Sequence, residues 1–120
     1  MDYFSPISLR DKVRRYSGPM SQTYAHFSDF YPFYLGEHRN QTCRRLHFVG
    51  STLVLVTLVA LIITGRWGWW FLLPLFGYGF AWVGHFFFEH NRPATFTHPI
   101  YSFMGDWVMF RDIIIGRIPF

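Results

Sequence analysis

Residues 46–64, LHFVGSTLVLVTLVALIIT, carry no charge beyond what His47 can take up, and no other feature limits the fold so strongly. As an α-helix the run reaches roughly 28 Å at about 1.5 Å per residue, enough to cross the hydrocarbon of a bilayer. Gly65, Arg66, Trp67 and Gly68 read as a tight turn, after which residues 69–88 return as a second apolar segment. Pro74 within it is tolerable in a membrane helix because a neighbouring helix can cover the carbonyl it frees. Trp67, Trp69 and Trp70 cluster at the turn, where indole rings anchor helices at a membrane interface. The expectation is an antiparallel transmembrane hairpin with spans of about 46–64 and 69–88.

Composition agrees. Hydrophobic residues make up 51% of the chain and aromatic residues 22%, against 15% charged, which is too apolar for an ordinary soluble domain. The net charge of +4 comes from residues that flank the apolar runs and form no patch of their own. That placement points to membrane lipid or an acidic small molecule and away from nucleic acid. Cys43 is the single cysteine, so an internal disulfide and a multi-cysteine metal cage are excluded; it reads as a small residue at a helix start. Arg39, Arg44 and Arg45 precede the first span and Arg92 follows the second, with only Arg66 between. The bias predicts an integral membrane protein, of a bacterial inner membrane or the endoplasmic reticulum, with both termini cytoplasmic.

Residues 1–20 read as a basic arm carrying Arg10, Lys12, Arg14 and Arg15 and lacking the apolar core of a cleavable signal peptide. Residues 21–120 then form a single membrane domain. In 21–35, Tyr24, Phe27, Phe30, Tyr31 and Tyr34 recur at helical spacing, and Pro32 is expected to kink or break the helix. In 99–116, Ile100, Phe103, Met104, Trp107 and Phe110 oppose Ser102, Asp106 and Arg111. Both segments are expected to lie at the interface as amphipathic helices. The fold class predicted is an all-α membrane protein: a two-span hairpin flanked by interfacial helices.

The chemistry concentrates where the second span ends. In residues 77–96, GYGFAWVGHFFFEHNRPATF, His85 and Glu89 stand one α-helical turn apart. Behind them run Ala81 and Gly77, with Gly84 alongside, small residues that let a second helix approach closely. His47 lies nineteen residues before Arg66 and His85 nineteen after it, so a hairpin folded there brings both imidazoles to one depth. Gly50 and Ser51 give the first span a small face to meet Gly84 and Ala81. His38 and Glu37 arrive from the polar hinge. Since nine residues separate His38 from His47, an unbroken helix would point them apart, so a shared site demands a break between them.

Ionisable residues at the ends of membrane helices are functional candidates by default. Imidazoles with a carboxylate and no thiolate suit iron or zinc. Arg44, Arg45 and Arg92 serve as topology determinants, and one of them could clamp a substrate carboxylate. Asn40 and Asn91 read as helix caps. His26, His90 and His98 have weaker claims as ligands. Two other readings stay open at this point: a haem held between paired imidazoles, and a structural or assembly hairpin whose histidines only tie helices together.

Taken together, FYPFYLGEHRNQTCRRLHFVGS and GYGFAWVGHFFFEHNRPATFTHPIYSFMGDWVMF, in that order around a hairpin, resemble the small membrane family related to the fungal endoplasmic-reticulum 2-hydroxy fatty acid dioxygenase. The resemblance covers about residues 27–117. It implies Fe(II)- and oxygen-dependent fatty acid α-oxidation, in which a 2-hydroxy fatty acid loses its carboxyl carbon. It also implies Fe2+ held by His38, His47 and His85, the histidines matching the family's motif, with Glu89 as the carboxylate that follows. The partners implied are a 2-hydroxy fatty acid and molecular oxygen, and the oligomeric state is left open, a homo-oligomer included.

Overall fold

A computed structural model describes residues 23–120, so the basic arm over 1–20 lies outside the described residues. Among them are four α-helices and no strand: α1 (Phe27–Gly36), α2 (Gln41–Thr64), α3 (Leu72–Val83) and α4 (Pro99–Ile114). The helix expected over 46–64 starts earlier, at Gln41, because the Asn40 side chain accepts a hydrogen bond from the Cys43 N–H and satisfies the first turn. It ends at Gly65, whose left-handed φ of 69° lets its N–H return to the Leu61 carbonyl. A short 3-10 turn, Trp67–Trp69, reverses the chain. Pro74 then falls in the first turn of α3, where an N–H has no helical partner to lose. Its tolerance therefore needs no covering neighbour.

Gln41–Thr64 and Trp67–Glu89 are each long and apolar enough to cross a membrane, and only 22% and 17% of their most apolar windows is buried. The core helix of a soluble protein would be mostly buried. Instead Val56, Ile62, Ile63, Leu75 and Phe87 all face outward. Where the two helices meet, they do so through small residues. A Cβ added at Gly84 would stand 2.9 Å from the Cys43 Sγ, and one at Gly50 would stand 2.8 Å from the Phe76 carbonyl oxygen. The small faces thus face the opposite helix as expected, but Gly84 meets Cys43 and Gly50 meets Phe76 and Phe80, and the two do not meet each other.

The first flanking helix departs from expectation. α1 is no amphipathic surface helix: residues 30–36 are all buried, and Phe30, Tyr31, Phe33 and Tyr34 form the main aromatic core with Met109, Ile113 and Ile118. Pro32 does not break α1, since it removes one hydrogen bond from a helix surrounded by packing. α4 occupies most of the expected 99–116, with its apolar side turned outward. Ile100 is 75% exposed and Phe103 57%, while Ser102, Gly105, Met109 and Asp112 are buried against α1 and its neighbours. Tyrosines of α1 supply the polar partners for this inverted face. The Tyr31 hydroxyl donates to Asp112 at 2.9 Å, the Tyr34 hydroxyl donates to Asp106, and the Tyr34 ring lies against Gly105, where a Cβ would come within 2.9 Å.

Candidate metal centre

Three helix ends deliver three histidines to one point. α1 stops at Gly36 and α2 does not begin until Gln41, so the break that the spacing of His38 and His47 demands is present. His38 sits in that break, His47 in the second turn of α2, and His85 at the end of the return helix; all three are buried. The His38 Nε2 lies 3.0 Å from the His47 Nε2 and 3.0 Å from the His85 Nε2. One ring nitrogen from each residue falls within 4.8 Å of the others, a grouping able to hold a metal ion.

The other ring nitrogens decide the tautomers. His38 Nδ1–H donates to the Tyr34 carbonyl at 2.6 Å, and His47 Nδ1–H donates to the Cys43 carbonyl at 3.0 Å. His85 Nδ1–H donates to the Asn91 Oδ1 at 2.6 Å. The Asn91 amide is itself oriented, because its Nδ2 donates to the Glu37 carboxylate at 2.6 Å and to the Glu37 carbonyl at 3.0 Å. With each Nδ1 facing an acceptor, each proton is on Nδ1, and the Nε2 atoms carry lone pairs. Lone pairs of neutral imidazoles facing one another at 3.0 Å, with no proton to share, repel unless a cation lies among them. Outer partners of this kind fix tautomer and ring orientation in metal sites. Burial, followed by the neighbouring His47 and His85, holds the His38 imidazolium pKa well below its ordinary value, which keeps the ring neutral and ready to ligate. The residues present fit a metal ion.

Several predicted site residues do other work. Glu89 does not join the cluster; its carboxylate accepts from the Asn40 backbone N–H. The cause is local: residues 84–89 form a widened π-helical turn, so Glu89 is not carried over His85 as an α-helix would carry it. Arg44 is committed to the hinge, donating to the carbonyls of His38 at 3.1 Å, Arg39 at 2.8 Å and Pro119 at 3.2 Å. Arg45 lies over the Phe120 ring and Arg92 over the Phe96 ring, each 4.9 Å from the centroid. Carbonyls near a helix terminus and aromatic faces are favourable partners for such cations. His90 ends the π-turn in a left-handed conformation and is exposed, and His26 is exposed beside α1. The His98 ring packs among Tyr24, Phe30 and Phe33.

Asn91 is the clearest residue that sequence reasoning missed. Read as a cap, it instead positions His85. Its signal was available, because a helix end that stops just after a ligand histidine leaves the next polar residue free to turn back. Tyr34 is the second: it supplies the carbonyl that holds His38, and its ring lies 4.1 Å from the His38 ring. Beside His47 opens a cavity of about 400 Å³, bounded by α2, α3 and α4, with Ser51 and Asp106 among its few polar walls.

A model of the family described as 2-hydroxy-palmitic acid dioxygenase Mpo1-like matches residues 24–118. No curated protein and no solved structure matches the chain.

Proposed function

The chain belongs to the 2-hydroxy-palmitic acid dioxygenase Mpo1-like family, and on that premise we propose that it is an integral membrane, Fe2+-dependent dioxygenase of 2-hydroxy fatty acids. The observation that carries the reading is the convergence of three Nδ1-protonated imidazoles on one point. His38, His47 and His85 would hold the ion, and the ion, when bound, supplies redox chemistry with oxygen and a Lewis acid for the substrate carboxylate and hydroxyl. Imidazole donors without a thiolate suit iron or zinc, and a dioxygenase family favours the redox-active ion. Three histidine ligands would leave positions open for substrate and oxygen. Nε2 atoms 3.0 Å apart lie too close for two of these imidazoles to hold a haem between them.

The chain's own residues have separate tasks in this reading. Asn91, Tyr34 and the Cys43 carbonyl hold the rings in position, and Glu37 holds Asn91. Asp106 and Ser51 line the cavity beside His47. Burial pushes the Asp106 carboxyl up to about 7, against the lowering effect of the Tyr34 hydroxyl, so near neutral pH it carries a proton for part of the time. In that form it can donate to the substrate carboxylate. The apolar walls take the tail and exclude water. The reaction balances without an outside reductant: a 2-hydroxy acid and one molecule of oxygen give an acid one carbon shorter, carbon dioxide and water.

The two apolar helices cross the bilayer, with the triad at the cytoplasmic rim where an amphiphile's polar end lies. α4 lies along the membrane with its outward apolar face in lipid. The test is to incubate purified protein with Fe(II), oxygen and 2-hydroxypalmitate and follow the acids by mass spectrometry. The expected product is the odd-chain acid, lost in His47→Ala and His85→Ala. Bound iron with no shortened acid would overturn the reading.

A further inference from the structure

The cavity beside the triad has a polar end and a long apolar body. His47, Ser51, Val54 and Leu58 line it from α2 at i, i+4, i+7 and i+11, a single stripe along one helix face. Leu73, Pro74, Gly77 and Tyr78 face that stripe from α3. Phe103, Asp106 and Trp107 close the side from α4. His47 and Ser51 lie at the triad end, and Asp106 is tied there through Tyr34, whose ring lies on His38. Every α2 wall residue farther along is apolar.

We infer that this cavity is an acyl ruler, in which Leu58 and Leu73 stop the tail of a fatty acid whose head lies at the histidines. The inference rests on the proposed function for the head and on the cavity for the length. Eleven residues from His47 to Leu58 correspond to about 16 Å along the helix. A staggered alkyl chain gains about 1.25 Å per carbon, so the body holds about a dozen carbons, and the whole acid has about 14 to 16. A volume near 400 Å³ lies within the range of small-molecule pockets. Gly77 keeps the middle open: a Cβ there would make ordinary contact with the Val54 Cγ2 at 3.5 Å, and a longer side chain would project into the path.

The experiment uses the full chain in detergent and a series of 2-hydroxy fatty acids of about 10 to 20 carbons, each with a diazirine at the tail end. Photolabelled residues are mapped by mass spectrometry, and turnover of the unlabelled series is measured with Fe(II) and oxygen. The expected result is labelling that moves along the stripe with length, reaching Leu58 and Leu73 at about 14 to 16 carbons. Leu58→Phe should shorten the preferred acid by about two to four carbons, and Leu58→Ala should lengthen it by a similar step. Gly77→Val should abolish labelling at Leu58. Labelling independent of length, labelling on the outer groove of Leu46 and Phe80, or Leu58 variants with unchanged preference would overturn the ruler. Labelling reads binding without turnover. A labelled stripe with no shortened acid therefore keeps the ruler and sinks the dioxygenase, while turnover indifferent to length sinks the ruler alone.

Discussion

At one end of the α2–α3 hairpin, Gly84 leaves no room for a Cβ against Cys43, and three imidazoles are buried with every Nδ1 paired. At the other end, Gly65 and Gly68 have open space around them, and Trp67, Trp69 and Trp70 are exposed. The tight end has what a metal site needs, since holding ligand atoms to within a fraction of an ångström requires backbone contact and a polar partner for each ring. The open end has only to reverse the chain, and a left-handed glycine with a short 3-10 turn does so without tertiary packing. Between them lies the cavity, which widens because Ser51 and Gly77 carry little side chain.

The widest separation of the two ends should appear in metal content. His38→Ala, His47→Ala and His85→Ala should each fall from about one iron per chain to background, a loss of more than about 100-fold in affinity. Trp69→Ala, at the open end, should retain the wild-type ratio; elemental analysis of purified protein measures both. A residual full complement in any of the histidine variants would break the comparison.

Asn91→Ala tests how far the tight end extends beyond its ligands. Without the acceptor for the His85 Nδ1–H, iron affinity should drop about 10- to 100-fold, read by competition with a chelator. Gly84→Ala and Gly68→Ala then compare packing directly. The first places a methyl 2.9 Å from Sγ and should cost about 1 to 3 kcal/mol, whereas the second meets nothing and should stay within about 0.5 kcal/mol. Denaturation midpoints in detergent decide it, and equal costs would show that the ends are packed alike.

The smallest effect concerns pH. Asp106 ionises near its ordinary 3.8 when unfolded and near 7 when folded, so the folded state holds the proton more tightly. The contribution of Asp106 to stability should therefore fall as pH rises from about 4 to about 7 and level off above, because the unfolded chain releases its proton first. The buried neutral His38 contributes in the opposite sense. Asp106→Asn keeps an acceptor for Tyr34 and removes the titration, so the melting temperature of the wild type relative to this variant should fall over that interval. A difference that rises instead would contradict the burial assigned to Asp106.

Much of the hairpin was legible because its causes are local. An uncharged run of sufficient length, a glycine-bounded turn and a capping asparagine act within a few residues, and equal spacing of His47 and His85 from Arg66 follows from antiparallel geometry alone. The requirement for a break between His38 and His47 was arithmetic on helical pitch, and it held. The first flank was misread because amphipathicity says which residues share a face and is silent on what that face touches. α1 looked like a surface helix and became the core; α4 turned its polar side inward because Tyr31 and Tyr34 were there to pair with Asp112 and Asp106.

The site divides in the same way. Spacing paired His47 and His85 at equal depth, and the family resemblance added His38. They misassigned Glu89, because a π-turn arises from how the helix end is held and leaves no periodic trace. They missed Asn91 and Tyr34, and they gave no sign that the arginines would pair with nearby carbonyls and aromatic rings. Helical pitch and hydrophobicity are properties of neighbouring residues and can be read along a chain. Which lone pair meets which proton is a property of distances between segments, and those exist once the chain has folded.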